Sequence, residues 1–181
     1  KFFRFSIITG VLGFTALSNS AQAQSCSSYN EAPMLANAVA SGALPAVGNR
    51  VPEEPLVVEV AEQIGVYGGT MVDTTGGNRL AEFRHFGYEP LVRWSVDGSE
   101  IVPNVAKSWQ ISDDATTYTF QLRKGMKWSD GEEFTADDIV FWWTYVESNK
   151  DIQSKPRGYM VVKGEQATVK AVDKHTIQFS W

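Results

Sequence analysis

Three neighbouring carboxylates are the residues of this sequence that could most directly perform chemistry. Asp130, Glu132 and Glu133 lie within four positions of one another and could supply a general acid and a general base. Hydrolysis of a glycoside needs two carboxylates that face each other across a cleft, roughly 5–10 Å apart. Here the three acids fall in one predicted turn with no aromatic platform between them. We interpret them as charges that favour solubility and the electrostatics of a helix end. We therefore predict that the protein is not an enzyme.

The histidines and the cysteine support the same expectation. His85 and His175 are far apart in the sequence and neither belongs to a nucleophile–base motif. The single cysteine, Cys26, cannot form an internal disulfide, and no CxxC or Cys/His cluster is present. The sequence therefore predicts no catalytic residue, no metal site and no cofactor.

One polar loop is the candidate for ligand contact. It follows a predicted strand at residues 68–72, and its exposed backbone and short polar side chains could hydrogen-bond a ligand inside a closed cleft. Its members are Asp73, Thr74, Thr75, Gly76, Gly77 and Asn78. A solvated surface turn is the alternative interpretation, because such loops are common. A phosphate cradle would need a longer glycine pattern, usually with a lysine.

The first 23 residues have the pattern of an export signal. Lys1 and Arg4 precede an apolar stretch at residues 7–17, and the small residues of 21–23 then provide an A-x-A cleavage site. This order is typical of a secretory signal peptide, and the apolar stretch is shorter than the ~20 residues of a spanning helix. We expect a mature protein that begins near Gln24 and is secreted to the periplasm.

Two further features of the termini lead to expectations. Cys26 lies just after the cleavage site, so a lipid anchor is the alternative to a soluble product, although Ala23 occupies the position where a Leu-like residue is needed. The sequence opens on Lys1 without an initiator Met and stops at Trp181 inside a predicted strand. We therefore expect a fragment of a longer protein.

Composition and charge limit the partners. Of the 181 residues, 43% are hydrophobic and 20% charged, which is ordinary for a globular protein. The formal net charge is −5, and the positive residues of the first segment leave the remainder more acidic still. An acidic body disfavours nucleic acid and anionic membrane surfaces as partners.

The predicted elements mix helices and strands. Helical spacing and a possible cap at Asn30 indicate a short helix that ends at Gly42, and a proline-rich arm follows at residues 43–55. The other predicted elements are strands at 68–72 and 88–94, a turn at 96–99, hairpins at 109–122 and 169–181, and a helix at 136–148.

The helix at 136–148 has the clearest start signal. Thr135 and Asp138 form a capping-box pair, and apolar residues then recur at i, i+3, i+4 and i+7. Trp142 and Trp143 lie on this helix. Two adjacent tryptophans could form a ligand platform, but at helical spacing beside Ile and Val they favour the core.

Residues 106–143 combine a hairpin, a glycine turn, an Asp-Gly turn and a capped helix at fixed spacing. This run resembles the signature of the family 5 extracellular solute-binding proteins, which serve oligopeptide, dipeptide and nickel ABC importers. The matching residues are Ala106, Asp113, Asp114, Tyr118, Phe120, Leu122, Arg123, Gly125, Trp128, Ser129, Asp130, Gly131, Phe134, Thr135, Ala136 and Asp138. The likeness spans about residues 65–181, whereas residues 30–64 support no subfamily.

The resemblance implies an α/β protein with the bilobed type II periplasmic-binding-protein fold, of which only the N-terminal part, a mixed sheet plus helices, is present. Together with the export pattern, it divides the chain into a signal peptide (1–23), an N-terminal helix and arm (24–64) and a truncated solute-binding domain (65–181). It also implies that the main charged ligand anchors lie beyond Trp181.

The function implied by the resemblance is capture of a small ligand and its delivery to ABC permease subunits. A peptide is the expected ligand, with an oligosaccharide or a metal complex as alternatives, and the protein is expected to be a monomer. Two other classes remain as alternatives, a secreted carbohydrate-active enzyme and an adhesive β-module.

Overall fold

The computed structural model describes residues 29–60, 62–70, 72 and 87–181. In chain order the helices and strands are α1 (Ala36–Ala40), β1 (Val92–Trp94), β2 (Ile101–Pro103), β3 (Ala106–Ile111), β4 (Thr117–Leu122), α2 (Ala136–Trp142), β5 (Val161–Val162), β6 (Glu165–Gln166), β7 (Thr168–Asp173) and β8 (Thr176–Ser180). Single 3-10 turns occupy Pro33–Leu35, Val47–Asn49 and Gly158–Met160, and a π-helical turn occupies Trp143–Glu147.

Four antiparallel strands form the main sheet, in the order β3-β4-β8-β7. Because side chains alternate along a strand, Phe120 and Leu122 point to the same face of the sheet. Phe120 pairs with Trp109 on one side and with Ile177 on the other. Its ring also meets that of Phe179 edge to face, with centroids 5.9 Å apart. Both predicted hairpins are thus confirmed, and their apolar faces join in one core.

Helix α2 covers this apolar face. Ala136 at its start is fully buried with Leu122 and Ile177, and its N–H donates to the carbonyl of Lys174 in the β7–β8 turn at 2.9 Å. The Asp138 carboxylate accepts the Thr135 backbone N–H at 2.7 Å, as the capping pattern predicts. The helix start is therefore fixed both by its own cap and by the neighbouring turn.

The two tryptophans belong to the core. Trp143 is only 9% exposed and packs with the buried Met160 and Ala167, while Trp142 is half-buried against the same cluster. The predicted helix at 136–148 is helical over most of that range, but its last turn is the π-helical turn rather than α-helix. Glu147, in that turn, is buried and accepts the Arg157 N–H at 3.0 Å, which holds the following loop.

Three sequence expectations about local structure are wrong. Residues 68–70 and 72 do not form a strand, because Gly68 and Gly69 take φ values of +92° and +91°, outside the β region. The strand expected at 88–94 is shortened to β1. Asn30 caps no helix, because the helical segment begins at Pro33 with Ala32 as the preceding cap residue.

The arm contacts the sheet through its acidic residues. Glu54 accepts two bonds from the Lys107 ammonium, at 3.1 and 2.9 Å, and one from the Lys124 backbone N–H at 3.2 Å. The Glu54 N–H in turn donates to the Lys124 carbonyl. Beside them Gly125 has φ +77°, and a Cβ on it would lie 2.5 Å from the Glu53 nitrogen. We name this contact, made by Glu53 and Glu54 with Lys107, Lys124 and Gly125, the arm latch.

Candidate functional site

A groove of about 580 Å³ lies between the arm and the β1–β2 hairpin. Its described lining is Leu56, Val57, Val58, Glu59, Arg93, Trp94, Ser95, Val96, Glu100, Val102, Pro103 and Arg123. Residues 56–59, which continue the arm, form one wall, and the hairpin forms the floor. The volume falls within the range of about 300–1,000 Å³ that is usual for small-molecule sites.

The floor of the groove is an antiparallel hairpin closed by an aspartate turn. Arg93 pairs with Val102, and the Ser95 N–H donates to the Glu100 carbonyl at 2.9 Å. The Asp97 carboxylate accepts the Ser95 hydroxyl at 2.6 Å and the Ser99 hydroxyl and N–H at 2.8 and 3.1 Å. These bonds, that of Ser95 first, lower the pKa of Asp97 from 3.8 to about 2.

Replacement of Asp97 by asparagine should make the free energy of unfolding less dependent on pH in the acid range. A carboxyl whose pKa is lowered by folding stabilises the fold above its unfolded pKa and loses that contribution as the pH falls through its folded pKa. We expect Asp97→Asn to be less stable than the wild type at pH 7, and the difference to shrink between pH 3.8 and about 2. Urea denaturation midpoints across this range measure it. A difference that is constant with pH would contradict the assignment.

A buried asparagine joins the hairpin to the main sheet and fixes Arg123 at the groove. Asn104 is 5% exposed, and its side-chain amide donates to the Glu89 carboxylate at 2.7 Å and to the Pro90 carbonyl at 2.8 Å. The backbone carbonyl of Asn104 accepts the Arg123 Nε–H at 2.7 Å. Burial lowers the pKa of the Arg123 guanidinium, while the nearby Glu54 charge opposes that effect. Arg123 is therefore a positioned cation on the groove wall.

The C-terminal part of the chain is similar to a known protein family. Residues 100–181 match the family model described as bacterial extracellular solute-binding proteins, family 5 middle. These residues belong to family 5 of the bacterial extracellular solute-binding proteins. The fold agrees, because an oligopeptide-binding protein OppA superposes with a TM-score of 0.72 at 38% identity, covering 85% of this chain and 24% of that protein.

Two sugar-binding proteins are also similar to this chain. The periplasmic α-galactoside-binding protein of Rhizobium meliloti is 31% identical over 164 residues, covering 79% of this chain and 24% of the relative. The periplasmic binding protein MelB of Agrobacterium fabrum, solved with stachyose, superposes with a TM-score of 0.63 at 32% identity, over 85% of this chain and 26% of that protein. The chain thus spans about a quarter of the length of these relatives, and its sheets and helices form part of their type II periplasmic-binding-protein fold.

Several sequence predictions fall outside the residues that the structure describes. The candidate ligand loop (Asp73, Thr74, Thr75, Gly76, Gly77 and Asn78) is among them, as are the signal peptide, Cys26 and His85. Within the described residues the candidate site is instead the groove, which no sequence pattern indicates. Its lining comes from the arm, the hairpin and the end of β4, and no single motif contains these residues.

Two of the three carboxylates at the Asp-Gly turn, those of Asp130 and Glu133, have structural partners. Asp130 accepts the Glu132 N–H at 3.0 Å, and Glu133 accepts the Lys174 ammonium at 2.6 Å. The His175 ring nitrogen lies 2.8 Å from the same carboxylate. The bond from Lys174, and then that from His175, lowers the pKa of Glu133. A carboxylate that is held ionised by two neighbours is poorly suited to donate a proton in glycoside hydrolysis.

The described ranges lack two kinds of feature. Residues 29–60, 62–70, 72 and 87–181 contain no cluster of three or more His, Cys, Asp or Glu side chains suited to hold a metal ion. No helix within those ranges has the length and apolar character to cross a bilayer.

Proposed function

We propose that this protein is the extracytoplasmic solute-binding component of an ABC importer, which captures a small ligand and delivers it to the permease subunits. The observation that carries the proposal is the family match of residues 100–181 together with the superposition on oligopeptide-binding protein OppA. The hairpins and the capped helix are scaffold in this view, since their conspicuous side chains lie in the core or in turns. The protein is proposed to act as a monomer in the periplasm, with anchorage through a lipid on Cys26 as the alternative.

The mechanism is a shift between an open and a closed arrangement of two lobes. A ligand that contacts both lobes binds the closed arrangement more tightly than the open one, and this difference in affinity drives closure. The closed form then docks on the permease. Residues 65–181 would supply part of the first lobe, and the loop at residues 73–78 is proposed to contact the ligand. No bond is made or broken, so the protein is proposed to have no enzymatic activity.

A peptide is the proposed ligand, because the relative with the higher structural similarity is an oligopeptide-binding protein. An α-galactoside is the second candidate. It is favoured by the α-galactoside-binding relative and by the MelB structure with stachyose, both of which are similar over most of this chain. A metal complex remains a third class to be tested.

Calorimetric titration of the full-length protein tests the proposal. Short peptides, α-galactosides such as stachyose, and metal chelates would each be added to a folded sample, with thermal unfolding followed in parallel. We expect one class to bind and to raise the melting temperature, because a ligand that binds only the native state stabilises it. A folded sample that binds none of the three classes would refute the importer assignment.

A further inference from the structure

Residues 31–50 form a loop that one ion pair closes. The Nη2 group of Arg50 donates to both oxygens of the Glu31 carboxylate, and the two side chains are only 25% and 20% exposed. The same guanidinium donates its Nε–H to the Pro45 carbonyl at 2.8 Å, which fixes its direction. Hydrogen bonds between two ionised groups are roughly twice as strong as those between neutral ones. We name residues 31–50 the strap and this ion pair the clasp.

The strap turns back on itself at a glycine. The Gly42 N–H donates to the Val39 carbonyl and the Leu44 N–H to the Ala38 carbonyl, both at 3.1 Å. Gly42 has φ +74°, the left-handed conformation in which many helices end. This turn reverses the chain after the helical segment, so the second half of the strap, which is also the first part of the arm, returns towards Glu31.

The strap has few contacts with the rest of the described structure. Its hydrogen bonds to described residues all lie within residues 31–51. Neither hydrophobic core of the described residues includes a residue of the strap. Along the chain, the first hydrogen bonds to the main sheet are those of Glu54 in the arm latch. A segment with so few contacts opens at a lower free energy than the packed sheet.

The strap depends on the clasp because it has little else to hold it closed. Its α-helix, α1, is five residues long, and isolated helices shorter than about 12–15 residues are marginal in water. No residue between Glu31 and Arg50 is charged, so the clasp is the only ion pair that the strap can form within itself. The hydrogen bond from Arg50 is the main cause that lowers the pKa of Glu31, which keeps this carboxylate ionised.

We propose that the strap is a conformational device that opens and closes as a unit while the four-stranded sheet stays folded. The clasp holds the strap closed, and the arm latch keeps the open strap attached to the sheet. The inference goes beyond the importer function and does not rest on it, because it concerns only contacts among the described residues.

Hydrogen–deuterium exchange of the full-length protein, followed by mass spectrometry, tests the strap. The exchange of backbone amides reports local opening separately for each peptide. We expect Arg50→Gln and Glu31→Gln each to speed exchange of residues 33–47 about fivefold, the scale of losing one well-aligned ion pair. Exchange in β4 and β8 and the melting temperature should not change. The double variant Glu31→Arg/Arg50→Glu reverses the ion pair and should recover much of the protection.

Two matched variants separate the clasp from general effects of charge. Lys150→Gln removes one positive charge from an exposed position outside the strap, and Lys107→Gln weakens the arm latch but not the clasp. Both should leave exchange within the strap unchanged. Strap exchange that is the same in the wild type and both clasp variants would overturn the role of the clasp. Exchange that rises in β4 and β8 together with the strap, or in the strap of Lys107→Gln, would overturn its independence from the sheet.

Discussion

Replacement of Trp143 by alanine is expected to destabilise the protein by about 3–5 kcal/mol, the usual cost of truncating a large buried aromatic side chain. Trp143 is 9% exposed and packs on Met160 and Ala167, which themselves are almost fully buried. The loss of contact area and the cavity that remains both contribute. Chemical denaturation followed by far-UV circular dichroism measures the change.

Phe141 provides the matched control on the same helix. It is 60% exposed, and its ring lies at a tilt against that of Tyr145, with ring centroids 4.8 Å apart. Phe141→Ala should therefore cost about 1 kcal/mol or less, the scale of a single exposed aromatic pair. Equal costs for the two variants would show that Trp143 is not part of the core and would reopen the interpretation of the tryptophan pair as a ligand platform.

Replacement of Gly125 by alanine is expected to release the arm as well as to strain the backbone. At φ +77° a side chain costs about 1–2 kcal/mol, and here the added Cβ would also lie 2.5 Å from the Glu53 nitrogen. Because that nitrogen is backbone, it can move away only if the arm itself moves. We expect lower stability and faster cleavage of the Glu53–Glu54 bond by a glutamate-specific protease, quantified by mass spectrometry.

Substitution of Gly131 is the control that separates backbone strain from release of the arm. Gly131 has φ +96°, but nothing lies within 4 Å of the place where its Cβ would be. Gly131→Ala should therefore lose a similar amount of stability through strain without exposing the Glu53–Glu54 bond. If both variants exposed that bond equally, or neither did, the arm would not depend on the close approach at Gly125.

The hairpins and the helix follow from short stretches of sequence. Alternation along β4 and β8 predicts which face of each strand is buried, and the Thr135–Asp138 pair predicts where α2 begins. These features depend on residues that are neighbours in the chain, so local periodicity and capping determine them. The same local chemistry explains the family resemblance, since most of its matching residues lie in these turns, strands and caps.

The groove forms only where segments distant in the sequence meet in the tertiary structure. Glu54 and Lys107 are 53 positions apart, and neither residue type nor spacing indicates that the two meet. Local rules also failed at Gly68 and Gly69, where the glycine backbone takes positive φ angles although the sequence pattern favours a strand. The physical reason is the same in both cases: a contact between distant segments, or a choice of φ that glycine leaves open, depends on how the rest of the chain packs around it.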